Sequence, residues 1–240
     1  MGNAAISSTG KVSYTTPEYL LALVRNFFSD LEGVEVDINL DPCSNPESTV
    51  NASLNYQLEP LGPTQDPTRV ICGDGLKYLQ EEARSQSVFI NPPFGRGVAQ
   101  WFRAAIAAAA RDCVVVMLVP DTPDTVPWKN EVLLRATGRC QIGHRVAYGG
   151  METGIPKCCS FLLFMDDAES EYAIDASLSA YEAFLEHFQV LGRVESPVSV
   201  YEDQKDVKIW TPSKRRPGEV PPLVNLDRNN STTVFPEEKN

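Results

Sequence analysis

The stretch VFINPPFGRG, at Val88–Gly97, joins a short apolar run to a rigid turn. Its first three residues, Val88–Ile90, are β-branched or aromatic and are typical of a buried strand. Pro92 and Pro93 have no N–H to donate to a neighbouring strand, so the strand must end at Asn91. In open α/β sheets, ligands bind beyond the carboxyl ends of the strands. The stretch therefore predicts an extended Asn-Pro-Pro-Phe segment at a ligand-binding edge, with a purely structural proline turn as the alternative.

Outward from this stretch, predicted strands alternate with predicted helices. Strands are expected at 34–40, 70–72, 88–90, 113–119, 141–148 and 158–165. Helices are expected at 17–31, with Thr15 or Thr16 as N-cap, and at 76–83, 98–110, 128–136 and 176–188. The alternation predicts an α/β fold with a doubly wound, mostly parallel sheet, and the last two strands suggest an antiparallel edge strand. We expect a flexible N-terminus over 1–13, one domain over 14–195 and a Pro-rich, charged, partly disordered tail over 196–240.

Composition narrows the function classes. The 240 residues are 42% hydrophobic, and no apolar run approaches the roughly 20 residues of a membrane helix. Without a signal-peptide pattern, a cytoplasmic location is expected. The chain has six cysteines, none in a Cys-x-x-Cys spacing, and two histidines. These numbers argue against a metal site and against a Ser-His-Asp catalytic site. A net charge of −11 opposes a large non-specific nucleic-acid surface, but between Arg96 and Lys157 basic residues outnumber acidic ones, eight to five.

Three polar residues follow predicted strands. They are Asp41, Asp74 and Asn91, and parallel strands would bring them to one crevice. Either aspartate alone is as readily a turn residue or a helix N-cap. The Gly-x-Gly-x-x-Gly dinucleotide motif and the Gly-rich phosphate loop ending in Lys-Ser/Thr are both absent from the sequence. The crevice is therefore expected to hold a nucleoside without a pyrophosphate.

Asn91-Pro92-Pro93-Phe94 matches the catalytic Asn-Pro-Pro-Tyr/Phe motif of S-adenosylmethionine-dependent amino-methyltransferases. Over roughly 14–165 the chain resembles the phage-type DNA N-6-adenine methyltransferase (Dam-like) family. The other matching motifs are Thr16-Pro17, Asp41-Pro42-Cys43-Ser44, Asp74-Gly75-Leu76, the loop Thr122–Trp128 and Gly138-Arg139. The loop is two residues longer than the family pattern and richer in proline. No acidic residue ends a second predicted strand, so the contact to the cofactor ribose is unassigned.

The resemblance implies a Rossmann-like methyltransferase in the cytoplasm, encoded by a phage or prophage, with S-adenosyl-L-methionine as cofactor and DNA as partner. It implies no metal ion and no membrane. The implied catalytic residues are Asn91, Pro92, Pro93 and Phe94. The implied cofactor-binding residues are Thr15, Thr16, Pro17, Asp41, Pro42, Cys43, Ser44, Asp74 and Asn91. The implied substrate-binding residues are Phe94, Asp124, Thr125, Trp128, Arg139 and Arg145.

Alternatives remain at two levels. Cytosine N4, RNA and protein amides are methylated with similar motifs, and a relative that binds nucleic acid but has lost catalysis is a third possibility. Within the site, Trp128 either clamps the flipped strand or packs beneath its loop. Arg139 and Arg145 are expected to contact phosphates.

Overall fold

The computed structural model describes residues 15–195 apart from 64, 96, 150–156 and 166–170, with the backbone alone over 171–179. The predicted terminal segments 1–13 and 196–240 lie outside these residues. The strands are β1 (Leu40–Asp41), β2 (Leu54–Gln57), β3 (Val70–Cys72), β4 (Ser87–Ile90), β5 (Val114–Pro120), β6 (Gly138–Ile142), β7 (Cys159–Phe164) and β8 (Gly192–Glu195). The helices are α1 (Glu18–Glu32), α2 (Gly75–Glu81), α3 (Val98–Ala109), α4 (Leu133–Arg135) and α5 (Glu171–Phe188), and a π-helical turn (Trp128–Val132) leads into α4.

These strands form one sheet in the order β3-β2-β1-β4-β5-β7-β6-β8. Each neighbouring pair from β3 to β5 is parallel. β7 is antiparallel to both β5 and β6, and β8 is antiparallel to β6 at the edge. The predicted α/β class and the mostly parallel sheet with antiparallel strands towards one edge are confirmed.

Helices cover both faces of the sheet. Along β5, Val116 and Leu118 point to the face that α1 and α5 cover. Val115, Met117 and Val119 point to the other face, which α2, α3 and the π-helical turn cover. Alternate side chains of a strand point to opposite faces, so a strand that is apolar throughout becomes buried on both. The unbroken apolar run therefore correctly predicted the centre of a doubly wound sheet.

Two predictions on the β1 side of the sheet were wrong. The alternating segment 34–40 forms a strand only at its last residue, because Val36 hydrogen-bonds with its backbone N–H and carbonyl to Ser29 Oγ instead of to a strand. β2 was not predicted, because it lies within 45–69, where the sequence shows no clear hydrophobic period. Its buried side chains are the polar Asn55 and Gln57, which bond to backbone carbonyls of neighbouring loops. A buried polar face does not produce a hydrophobic pattern.

The other differences lie near the antiparallel edge. β6 begins at Gly138 rather than at 141, at the Gly-Arg motif. β8 was not predicted, and it lies beside β6 through Arg139 and Glu195, which are register partners. The Thr15 or Thr16 N-cap was also wrong, since Pro17 occupies that position without a side-chain hydrogen bond.

Candidate active site

The strand order reverses between β1 and β4. From β1 the chain continues to β2 and β3 on one side, whereas β4 leads to β5 on the other. Ligands of open α/β sheets bind at such a reversal, beyond the carboxyl ends of the strands. Asp41 is the last residue of β1, and Asn91 directly follows β4. Two of the three predicted strand-end residues therefore flank this crevice.

The Asn91 side chain is hydrogen-bonded at only one end. Its Nδ2 donates to Thr16 Oγ1 at 3.0 Å. Its Oδ1 is buried and has no hydrogen-bond partner within the described part of the chain. Leaving a buried acceptor unsatisfied costs about 1–3 kcal/mol, so such atoms are rare in native proteins. Neither Pro92, which is buried, nor Pro93, which is exposed, has an N–H that would satisfy this oxygen.

Buried unpartnered atoms concentrate on the predicted site residues. Over the described ranges they are Ser44 Oγ, Asn91 Oδ1 and Trp128 Nε1. Ser44 comes three residues after β1 and Asn91 directly after β4, so two of the three atoms lie beyond the strands that flank the crevice. A ligand or ordered water that completes such bonds is the usual reason for their presence.

Asp41 is a buried carboxylate, 3% exposed. It accepts the Cys43 N–H at 3.1 Å and the Ser48 hydroxyl at 3.4 Å. Burial raises the pKa of Asp41 from 3.8 to about 6, and these hydrogen bonds offset only part of the effect. A cationic ligand group beside Asp41 would stabilise the ionised carboxylate. The bond to Cys43 shows that Asp41 also has the turn role that the sequence left open.

Cys43 connects the ends of β1 and β4, because the backbone N–H of Asn91 hydrogen-bonds to its thiol. Pro42, the residue before it, is approached closely from the β3 side. A Cβ on Gly75 would overlap the Pro42 carbonyl oxygen, so only glycine fits there. The Asp-Pro-Cys-Ser turn, the start of α2 and Asn91 are thus brought into one cluster.

Asp74 shows the helix N-cap role. Its exposed carboxylate accepts the Lys77 N–H at 3.1 Å at the start of α2. β2 separates its strand from β1, so Asp41, Asp74 and Asn91 do not follow three adjacent strands. Because Gly75 contacts the β1 turn, Asp74 still lies beside the crevice. A contact to the cofactor stays a prediction.

Phe94 is half-buried, with its ring edge packed against a second aromatic residue. The Phe94 and Tyr148 ring centroids are 5.7 Å apart at an interplanar angle of 69°. Tyr148 is 1% exposed, and its hydroxyl lies 3.8 Å from Cys159 Sγ. Sequence reasoning missed Tyr148, since one aromatic residue after a strand gives no signal of this contact. It also missed Glu59, which comes two residues after the unpredicted β2 and is half-buried.

The Thr15-Thr16-Pro17 segment lies against the Asn91 side of the crevice. The Thr15 carbonyl accepts the Gly149 N–H at 2.9 Å, and the Thr16 carbonyl accepts the Thr49 hydroxyl at 3.1 Å. The Pro17 carbonyl accepts the first N–H bonds of α1, from Leu20 and Leu21. The structure therefore brings this predicted segment to Asn91.

The loop after β5 differs from the prediction at its aromatic residue. Trp128 is fully buried, packed edge-on against Phe102 at a centroid distance of 6.1 Å. It cannot clamp a flipped strand, because the apolar face that α3 covers encloses the whole ring. Thr125 hydrogen-bonds to the Thr122 carbonyl at 2.8 Å and shapes the loop, while Asp124 is exposed.

The predicted phosphate contact at Arg139 is also wrong. Arg139 is 9% exposed and forms ion pairs with Asp121 at 3.0 Å and Glu195 at 2.6 Å. Its Nε donates to Ser160 Oγ at 3.2 Å, and its guanidinium carbon lies 5.4 Å from the centroid of the Trp128 ring. The guanidinium therefore binds groups inside the protein and does not face solvent, where a phosphate would bind. Arg145, three residues beyond β6, is exposed and remains a candidate.

The described residues contain neither a cluster of metal ligands nor a membrane-spanning helix. No cluster of three or more His, Cys, Asp or Glu side chains is arranged to hold a metal ion in the described ranges. No helix in that part of the chain combines the length and apolar character needed to cross a membrane.

Comparison with known proteins gives a distant structural similarity. No protein-family model and no curated protein matches the chain. The crystal structure of protein LPL1258 from Legionella pneumophila str. Philadelphia 1, of family DUF519, is similar with 15% sequence identity and a TM-score of 0.34. The similarity covers 64% of this chain and 62% of that chain, which is less than two thirds of either. A similarity this distant carries no information about activity.

Proposed function

We propose that this protein is an S-adenosylmethionine-dependent methyltransferase that methylates the exocyclic N6 amine of adenine in DNA. The observation that carries the proposal is Asn91 Oδ1, a buried acceptor without a partner, directly beyond β4 at the strand reversal. The Asn-Pro-Pro-Phe motif and the sheet with helices on both faces support a methyltransferase fold. The proposal includes a cytoplasmic location and a phage or prophage gene, both of which the resemblance implies.

The proposed chemistry requires two acceptors and no strong base. The lone pair of the adenine amine is delocalised into the ring, which makes it a poor nucleophile. Asn91 Oδ1 and the Pro92 carbonyl would each accept one of its two N–H bonds and favour a pyramidal nitrogen. Both bonds strengthen as positive charge develops on the nitrogen, so they stabilise the transition state more than the bound substrate. The rigid Pro92-Pro93 segment holds these acceptors in place before substrate arrives.

The residues after β1 have the chemistry needed to hold the cofactor. S-Adenosylmethionine, when bound, would supply an electrophilic methyl group whose bonding electron pair stays with the positively charged sulfur. Asp41 would pair with the ammonium group of the cofactor, with the Ser44 hydroxyl beside it. Glu59, just after β2, is a candidate for the unassigned ribose contact. The amine proton that is lost passes to solvent.

The proposed base pocket lies between Phe94 and the loop after β5. Phe94 would stack on the flipped base, a contact worth about 1–3 kcal/mol. Extruding an adenine from duplex DNA costs a few kcal/mol, which stacking and the two acceptors would offset. Asp124 and Thr125 belong to the next strand-end loop and would border the pocket.

One experiment separates this function from its alternatives. Full-length protein is incubated with methyl-labelled S-adenosylmethionine in three separate reactions, which contain unmethylated DNA, RNA or a protein mixture as the acceptor. Digestion of the DNA to nucleosides is expected to yield labelled N6-methyladenine, and the Asn91→Ala variant is expected to yield at least about a hundredfold less. Labelled N4-methylcytosine, RNA or protein would replace the proposed substrate, and cofactor binding without transfer would indicate a catalytically silent relative. Absence of cofactor binding would contradict the methyltransferase assignment altogether.

A further inference from the structure

The hydroxyl of Thr16 meets the carboxamide of Asn91 across 75 residues of chain. Thr16 is 4% exposed, and its Oγ1 accepts the Asn91 Nδ2–H bond at 3.0 Å. The hydroxyl is not needed by the helix that follows, since Pro17 is the N-cap of α1 and that cap has no side-chain hydrogen bond. The interaction with Asn91 is therefore the role that the structure shows for this side chain.

The backbone around Thr16 is held by two other loops. Thr49 Oγ1 donates to the Thr16 carbonyl at 3.1 Å, and the Gly149 N–H donates to the Thr15 carbonyl at 2.9 Å. A Cβ on Gly149 would overlap Thr15 Oγ1, so the two loops pack closely at this point. With its backbone fixed on both sides, Thr16 presents its hydroxyl to Asn91 at a fixed position.

A carboxamide has a donor end and an acceptor end, and the proposed reaction uses only the acceptor. If the two ends exchanged places, an NH2 group would face the substrate amine, donor against donor. In the structure the NH2 group is the end bonded to Thr16, which leaves the oxygen as the end of the carboxamide that is available to a ligand. Thr16 Oγ1 makes that bond, and Asn91 Oδ1 is the atom left unpartnered.

We infer that Thr16 is a positioning residue, which orients the Asn91 carboxamide so that Oδ1 accepts a hydrogen bond from the amine to be methylated. The inference rests on the proposed function, and it replaces the cofactor contact that the resemblance implied for Thr16. Thr16 acts through Asn91 and not on the cofactor. Its removal should therefore lower kcat while leaving the affinity for S-adenosylmethionine unchanged.

The test compares Thr16→Val, which is nearly isosteric, with Thr16→Ser, which keeps the hydroxyl. The loss of one such hydrogen bond is expected to lower kcat about tenfold in Thr16→Val. Cofactor affinity by calorimetry should stay within twofold, and Thr16→Ser should recover most of the rate. In an Asn91→Ala background, Thr16→Val should cause no further loss, because the residue through which it acts is gone.

Thr137→Val is the matched control. Thr137 precedes β6 at the opposite edge of the sheet, and its hydroxyl accepts the Met165 N–H at 3.3 Å. It should change thermal stability but not kcat. Thr16→Ala is the second variant if Thr16→Val does not fold. Two results would overturn the inference. One is a parental kcat with weakened cofactor binding in the Thr16 variants, and the other is an equal kcat in Thr16→Val and Thr137→Val.

A readout independent of activity separates this inference from the proposed function. The side-chain NH2 resonances of Asn91, assigned by their loss in Asn91→Ala, should exchange with solvent at least tenfold faster in Thr16→Val than in the parent. Unchanged exchange overturns the positioning role even if the enzyme methylates DNA. A parent protein that transfers methyl groups to no acceptor overturns the proposed function, and the catalytic part of this role with it, even if exchange accelerates.

Discussion

At the scale of single residues, the two ends of the Asn91 carboxamide have different roles. Its NH2 group is bonded to Thr16, while Oδ1 is buried without a partner. A buried acceptor that stays unsatisfied typically costs about 1–3 kcal/mol. A ligand N–H that reaches this oxygen recovers that free energy, so the site favours an amine donor before any reaction takes place.

Asn91→Ala should reduce methyl transfer to a small residual rate. Removing one preorganised group that stabilises the transition state typically lowers kcat by about 10²–10³-fold. Cofactor affinity should remain nearly intact, because Asp41 and Ser44 are untouched. Initial rates with DNA and calorimetry with S-adenosylmethionine measure the two effects. Asn26→Ala, at an exposed position on α1, is the control. Near-parental turnover of Asn91→Ala would contradict the mechanism.

Asp41→Asn should change stability in a pH-dependent way. The pKa of Asp41 in the folded protein, about 6, lies above its ordinary 3.8. The parent therefore loses stability as pH rises from about 4 through 6. The neutral variant avoids that loss, so it should match the parent below about pH 4 and exceed it by up to about 3 kcal/mol at pH 7. Urea unfolding across this range tests the sign, and an identical pH dependence in both proteins would disprove it.

The same substitution should weaken cofactor binding. A bound ammonium group lowers the pKa of Asp41, so the affinity of the parent for S-adenosylmethionine should fall as pH drops below about 6. Asp41→Asn should bind more weakly at pH 7 and show no such pH dependence. Parental affinity in this variant would reduce Asp41 to a turn residue.

At the scale of elements, a polar network joins the last four strands. Asp121 follows β5, Arg139 belongs to β6, Ser160 to β7 and Glu195 to β8. The Asp121 carboxylate accepts hydrogen bonds from Arg139 Nη2 at 3.0 Å and from the Ser160 hydroxyl at 2.5 Å. The Glu195 carboxylate accepts a hydrogen bond from Arg139 Nη1 at 2.6 Å. The network anchors both the loop after β5 and the edge strand.

Arg139→Ala should therefore destabilise the fold instead of impairing DNA binding directly. Removing one partner leaves the nearly buried Asp121 carboxylate without its cation, which typically costs about 3–5 kcal/mol. Chemical unfolding measures this loss. Arg193→Ala, on β8 with a side chain that is 80% exposed, is the control and should cost little. Parental stability combined with weaker DNA binding would restore the phosphate role.

The loop beyond β6 is the better candidate for a phosphate contact. His144 and Arg145 are exposed there, and Tyr19 bonds to His144 at 2.9 Å. Arg145→Ala should weaken DNA binding equally for all sequences and reduce the log–log salt slope by about one, with cofactor affinity unchanged. Arg84→Ala, an exposed arginine before β4 at the opposite edge, is the control. An unchanged salt slope in Arg145→Ala would place the DNA elsewhere.

At the scale of the whole molecule, the charge limits how DNA is bound. The net charge is −11, and Arg145 and Lys157 are exposed basic residues at the carboxyl edge of the sheet. With so few cations, the logarithm of DNA affinity should fall against that of salt concentration with a slope of about −2 to −4. Binding titrations at several salt concentrations test this. A slope steeper than about −6 would implicate Lys214, Arg215 and Arg216, outside the described residues.

The sequence by itself determined the central strands, the long helices and the position of Asn91. Unbroken apolar runs such as Cys113–Val119 stay buried in any fold of this class, and prolines end a strand wherever they occur, so both signals are local. Asn91 was found for the same reason, since it directly follows an apolar run, whereas Asp41 was found at the end of an alternating segment of which only the last residue forms a strand. The adenine specificity stays a prediction.

Only the tertiary structure decided which polar side chains meet. Asn55 and Gln57 are buried in β2 because the loops that flank this strand fold back and supply their partners, and Arg139 is withdrawn from solvent by Asp121 and Glu195. Thr16 and Asn91 are 75 residues apart in the chain and meet only in the folded sheet. A side-chain hydrogen bond depends on the distance and direction between two groups, which can be far apart in the chain. A hydrophobic pattern depends on residues that are close together in the chain, so it can be recognised in the sequence, whereas the hydrogen bond cannot.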